Sequence, residues 1–176
     1  MTIEEFKQRN NIRFNKKELL EQAFIHRSYI NENPRSGLEH NERLEFLGDA
    51  VLELVVTEHL YTVYPHHNEG DLTSYRSALV NAVTLGSVAD ELSFNDMLKL
   101  SKGEAKDISR ARSSILADAY EAFIGALYLD QGYTSVKEFI TKTLLIKTDE
   151  IIKQGLYKDA KSFVQEKSQE LYGITP

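Results

Sequence analysis

Acidic side chains at helical spacing are the groups in this sequence that could do chemistry together. In NERLEFLGDAVLE, from Asn41 to Glu53, a helical register of about 100° per residue places Glu42, Glu45 and Asp49 within roughly 60° of one another. Leu44, Leu47, Val51, Leu54 and Val55 fall within about 100° on the other side, so a core built on that stripe leaves the acids facing away from it. Solvated acidic faces usually interleave Lys or Arg at i,i+4 spacing, but Glu42, Glu45, Asp49 and Glu53 have no basic residue at those offsets. Unrelieved like charge favours a bound cation. The device recurs at Asp118 and Glu121, with Ala122 and Gly125 on the same side and Leu116, Tyr120, Phe123 and Leu127 opposite. Small residues beside the acids let a second helix approach closely, as carboxylates converging on a metal ion require. Oxygen donors suit hard cations such as Mg²⁺ or Mn²⁺. A di-iron carboxylate bundle would need Glu-x-x-His motifs, and no glutamate here has His at i+3.

Other candidates are weaker. Phe46 projects about 40° from Glu42, on the acidic side, where an aromatic has no intramolecular core to enter and a partner could cover it. His26, in HRSYI, reads as a hydrogen-bonded structural residue, and His66 and His67 as exposed turn residues without ligand-spaced partners. Lys99, Lys102, Lys106, Arg110 and Arg112 precede the second acidic stretch. With the serines at 113 and 114 they read equally as a phosphate-contacting surface or as a solvated loop with a capping serine.

The elements that must position these groups are helices. Proline is confined to Pro34, Pro65 and Pro176, and no region alternates Val, Ile and Thr between tight turns. The periodicity predicts an all-α chain with helices near residues 3–9, 16–25, 40–63, 72–92, 112–130, 134–153 and 160–172, with Asp71 and Thr134 as N-caps. The segment 31–37, rich in Asn, Pro, Ser and Gly, is a loop delivering the chain to the first acidic helix. The 176 residues, 41% hydrophobic, suffice for one domain and the start of another. Without cysteine there are no disulfides or thiolate metal sites. No stretch has the length of a membrane span, and the N-terminus is polar, which predicts a cytoplasmic protein. A net charge of −6 argues against coating nucleic acid through bulk positive charge, though an acidic metal site would itself add to that count.

NERLEFLGDAVLE resembles the signature of the ribonuclease III family, and SILADAYEAFIGALYLDQG, from Ser114 to Gly132, resembles that family's second acidic motif. HRSYI at His26 and EGDLTSYRSALV at Glu69 complete a match in register from about Lys16 to Gly132. The resemblance implies a homodimeric, all-α endonuclease domain in residues 1–153, hydrolysing double-stranded RNA to 5′-phosphate and 3′-hydroxyl ends in the maturation of ribosomal and other structured RNA. Duplex RNA is read mainly by shape, in keeping with the lack of an aromatic stacking platform among the motifs. Glu45, Asp118 and Glu121 are expected to be the principal Mg²⁺ ligands, with Mn²⁺ a possible substitute. Asp49 is expected beside them, as a ligand and as the group that positions or deprotonates the attacking water. Glu42 and Glu69 are expected in supporting roles, and Phe46 as the knob that enters a pocket on the partner subunit. Residues 154–176 resemble a linker and the first helix of a double-stranded RNA-binding domain, which predicts that the chain stops inside its second domain. A catalytically silent relative that binds structured RNA as a dimeric scaffold is the competing reading, against which the chain retains every acid that hydrolysis requires.

Overall fold

A computed structural model of the protein describes residues 1–106 and 110–155. The expected helix at 160–172 and the expected second-domain segment beyond residue 155 lie outside the described residues. Nine α-helices are described: α1 (Ile3–Asn10), α2 (Lys17–Ala23), α3 (Arg27–Glu32), α4 (Glu42–Val63), α5 (Glu69–Val80), α6 (Ala82–Glu91), α7 (Arg110–Gln131), α8 (Tyr133–Thr143) and α9 (Thr148–Lys153). Among the described residues the sole β-type pairing is a single bridge between Ile25 and Lys99. The described residues are all-α, as the periodicity predicts.

The centre of the fold is α7. Ile115, Leu116, Ala117, Ala119, Tyr120, Ala122, Phe123, Ile124, Ala126 and Leu127 are all buried, and residues so placed point in every direction around the helix axis. The long helix α4 packs along one side of it and α6 along another, with α2 and α8 closing the remainder. Phe123 is the hub of an aromatic cluster, edge-on to Phe6 at 5.4 Å between ring centroids and in contact with Phe94 at 5.6 Å and Phe139 at 4.9 Å. Such pairs add about 0.5–1.5 kcal/mol each beyond area burial. They tie α1, α7 and α8 to the turn at Phe94–Asp96.

Local chemistry sets where the helices break. The expected continuous helix over 72–92 is two helices, because Asn81 adopts an extended conformation (φ −74°, ψ 157°). Its side-chain oxygen accepts from the Thr84 N–H at 2.9 Å, capping α6, while its amide donates to the Ala78 carbonyl at 2.9 Å, closing α5. One side chain serves both ends. The helix α5 also begins earlier than expected. Asn68, not Asp71, is its N-cap, and Asp71 supplies the N–H that Asn68 accepts at 2.9 Å. Likewise α8 begins at Tyr133 directly after Gly132, whose φ of 78° favours glycine, so Thr134 is not a cap. The expected helix over 134–153 is interrupted after Thr143 by a 3₁₀ turn at Leu145–Lys147. His26 caps α3, a short helix in a stretch without helical periodicity of its own.

Candidate metal centre

The site begins with Asn41, which is buried at the start of α4. Its amide donates to the Ala23 carbonyl at 3.1 Å and its N–H to the Ile25 carbonyl at 2.9 Å, while its own carbonyl accepts from Leu44 and Glu45. The first turn of α4 is thereby pinned to the end of α2. Glu42 and Glu45 occupy that turn, where the free N–H groups and the helix dipole favour negative charge.

The face that α4 buries differs from the expected stripe. Leu44, Val51 and Val55 are buried, but so are Gly48, Leu52, Val56 and Leu60, whereas Leu54 is 57% exposed. The buried arc is rotated by roughly a quarter turn toward the acids relative to the sequence reading. Glycine is the reason. A Cβ on Gly48 would sit 1.8 Å from the Glu121 carbonyl oxygen, and one on Gly125 would sit 2.1 Å from the Leu44 carbonyl oxygen. The two backbones therefore meet at a glycine pair, with Gly125 the small residue that the sequence singled out and Gly48 its unanticipated counterpart. The acids border the α4–α7 seam instead of facing away from the core.

That seam brings Glu45, Asp118 and Glu121 together: one carboxylate oxygen from each lies within 4.8 Å of the others. All three are half-buried. Burial first, then the charges of Asp118, Glu42 and Asp49, pushes the Glu45 carboxyl up to about 7. Burial first, then Asp49, Asp118, Glu45 and Glu53, pushes Glu121 up to about 8. Asp118 is raised by burial, which the nearby His26 partly offsets. Crowded acids without a compensating charge hold protons near neutrality, and a divalent cation among them would displace those protons. An all-carboxylate donor set at this spacing fits a hard cation.

Residues 16–148 match the sequence model of the Ribonuclease-III-like family. The chain belongs to the ribonuclease III family. It is 51% identical to Ribonuclease 3 of Bacillus velezensis over 138 residues, covering 78% of this chain and 55% of that protein. It is 49% identical to Ribonuclease 3 of Bacillus licheniformis over 148 residues, covering 84% of this chain and 59% of that protein. The chain thus spans a little over half the length of these relatives. Among solved structures, the nuclease domain of ribonuclease III from Campylobacter jejuni, described for structural flexibility in a region involved in dimer formation, aligns with a TM-score of 0.72. That alignment has 38% identity and covers 80% of this chain and 94% of that one.

Within this ribonuclease III fold the remaining predicted residues are placed differently from one another. Asp49, one turn beyond Glu45, is exposed beside the triad and contributes to the field on both glutamates. Glu42 stands at the rim, 3.5 Å from the Arg27 guanidinium and 3.7 Å from His40 Nδ1. Glu69 does not reach the cluster of its own chain. It opens α5 beside the last turns of α4, where it lines a recess with Thr57, Leu60 and Tyr61, and accepts from Thr73 Oγ1 at 3.2 Å. Phe46 is 82% exposed and flanks a surface recess of about 590 Å³ lined by Leu19, Leu44, Leu47 and Leu129. Of the basic residues, Lys99, Lys102 and Lys106 are exposed, while Arg112 turns inward to donate to the Glu104 carbonyl at 2.7 Å. Glu53, already counted among the unrelieved acids, adds to the field on Glu121, and sequence reasoning missed Arg27 and His40 as the neighbours of Glu42 at the rim. No spacing rule could have found Arg27, since it reaches Glu42 from another helix.

Proposed function

We propose that this chain is the nuclease portion of a divalent-metal-dependent endoribonuclease that hydrolyses double-stranded RNA. The observation that carries this reading is the convergence of Glu45, Asp118 and Glu121 from two helices whose backbones touch at a glycine pair. These three would hold Mg²⁺, or Mn²⁺ in its place. Such an ion supplies neutralisation of charge on the phosphate and a lower pKa for a nearby water. Asp49, adjacent to the triad and open to solvent, orients the attacking water and accepts its proton. The half-buried walls limit bulk water, which strengthens every charge interaction within. Cleavage of the P–O3′ bond leaves a 5′-phosphate and a 3′-hydroxyl end.

The same reading extends to assembly. Phe46, Leu54 and Tyr61 form an exposed apolar row along the outer face of α4, continuous with the recess beside Phe46. A face of this kind is suited to a second copy of the chain, with Phe46 as the anchor. Glu69 keeps a supporting role there, and a dimer would present one cluster to each RNA strand. Residues 1–153 are assigned to the nuclease domain and 154–176 to a linker and the opening of a double-stranded RNA-binding domain. No described helix is long and apolar enough to cross a membrane. The reading includes cytoplasmic work on ribosomal, messenger and transfer RNA precursors, which the kinship with Ribonuclease 3 supports.

The test is cleavage of a perfect RNA duplex with and without Mg²⁺, using the parent and Glu121→Gln. The parent should cut only with the metal, and the variant should lose hydrolysis while keeping duplex binding. A Glu121→Gln protein that cuts as fast as the parent would show the ligand assignment to be wrong.

A further inference from the structure

The acidic cluster has a cation at its rim that hydrolysis as described above leaves without a task. Arg27 opens α3, and its position is set on both sides. His26, the residue before it, accepts the Ser28 N–H at Nδ1 and donates its own N–H to the Lys99 carbonyl at 3.1 Å. Ser28 Oγ in turn accepts from the Ser101 N–H at 3.0 Å, and Glu32 accepts from the Lys102 N–H at 3.1 Å. The start of α3 is therefore stitched to the loop that carries the exposed Lys99 and Lys102, so Arg27 belongs to one basic surface with them. Its guanidinium faces the rim: Nη1 lies 3.5 Å from Glu42 Oε1, while the other oxygen of Glu42 lies 3.7 Å from His40 Nδ1.

Three features make this arrangement a poised contact rather than a finished one. The Arg27 side chain is 64% exposed and spends one nitrogen on Glu42 at a long distance, leaving the rest of its donor fork toward solvent. An exposed ion pair of that kind is weak and readily exchanged for another anion. His40 Nδ1 is buried and has no hydrogen-bond partner, so the Glu42 carboxylate sits between two groups that could each compete for it. Glu42 also stands outside the triad whose oxygens converge, which frees it to hold Arg27 instead of a metal.

We propose that Arg27 contacts an RNA phosphate next to the cleaved bond, and that Glu42 is the positioning residue that aims its guanidinium across the mouth of the cluster. This rests on the reading of the chain as a duplex-cleaving nuclease. Arginine suits the task because its planar fork matches two phosphate oxygens, which a lysine ammonium cannot.

The experiment uses the 176-residue chain, an RNA duplex and three readouts: single-turnover cleavage in Mg²⁺, duplex affinity in Ca²⁺ against NaCl concentration, and Mn²⁺ affinity by electron paramagnetic resonance. Arg27→Ala should lower the cleavage rate about tenfold or more and make the salt dependence shallower by about 0.7–0.9 in logarithmic slope, one phosphate contact, with Mn²⁺ affinity unchanged. Arg27→Lys should restore the slope but not the rate. Glu42→Gln should add nothing to Arg27→Ala in the double variant, because both act through one contact. Parental rate and slope in Arg27→Ala, a fall in its Mn²⁺ affinity, or additive effects in the double variant would each overturn the inference. A parent chain that leaves the duplex intact would remove the nuclease reading and this inference with it, whereas a parent that cuts beside an unaffected Arg27→Ala removes only the latter.

Discussion

Replacing Gly48 with alanine should disable the carboxylate cluster while leaving the chain folded. The added Cβ would stand 1.8 Å from the Glu121 carbonyl oxygen, 2.6 Å from its carbon and 2.8 Å from the Gly125 nitrogen, where ordinary contact begins at 3.4 Å. All three atoms belong to backbone and no side chain can rotate away, so α4 and α7 must part by about 1.5 Å to reach ordinary van der Waals separation. Overpacking of that kind costs about 1–3 kcal/mol, and alanine's better helix propensity returns up to about 1 kcal/mol. The net loss is then on the order of 1–2 kcal/mol, several degrees in Tm for a domain of this size. The site responds more steeply than the fold. Glu45 rides on α4 and Asp118 and Glu121 on α7, and a misplacement of about 1 Å can cost on the order of 100-fold in rate. Thermal melts with and without Mg²⁺, together with duplex cleavage, measure both effects. Gly103→Ala is the control, since the one neighbour of its Cβ is Ser101 Oγ at 3.8 Å. A Gly48→Ala protein that melts with the parent and cuts within a factor of a few would refute the seam as the device that sets the cluster.

Other outcomes follow from particular residues. Glu45 and Glu121 are raised from 4.5 to about 7 and about 8, so the folded metal-free chain binds their protons more tightly than the unfolded chain does. The associated stability is fully present below about pH 4.5 and is lost as pH rises through those values. His59, whose pKa burial lowers from 6.5, acts oppositely but below that pH, so between pH 7 and 8.5 the Tm measured in EDTA should fall, and Mg²⁺ should reverse the fall. An identical slope in Glu121→Gln would contradict the assignment. Phe46→Ala should shift a dimer toward monomer in sedimentation at low micromolar concentration, with a loss of about 2 kcal/mol or more per contact; an unchanged dimer would separate Phe46 from the interface. Asn81→Ala should cost about 1 kcal/mol by removing the cap of α6, seen as a lower urea midpoint, and parental stability would mean that the cap is dispensable.

The acids could be recognised from sequence because their chemistry is local in type and spacing: Glu45 and Asp49 lie one turn apart, Asp118 and Glu121 about one turn apart, and neither pair has a basic residue three or four positions away on its own helix. Helical periodicity likewise gave α1, α4 and α7 nearly to their ends. Where a helix breaks was less accessible, since Asn81 is as ordinary in a helix as in a loop until its side chain is seen serving Ala78 and Thr84 at once. Residue types and register thus determined by themselves that the described residues are all-helical and carry two acidic stretches fit for a hard cation. Tertiary structure decided which face of α4 is buried, because only the meeting of Gly48 with Gly125 lets two backbones touch and draws Glu45 to Asp118 and Glu121. It also left Glu69 at the far end of α4 and brought Arg27 to Glu42. Those placements depend on how one helix lies against another, and no periodicity within a single helix records that.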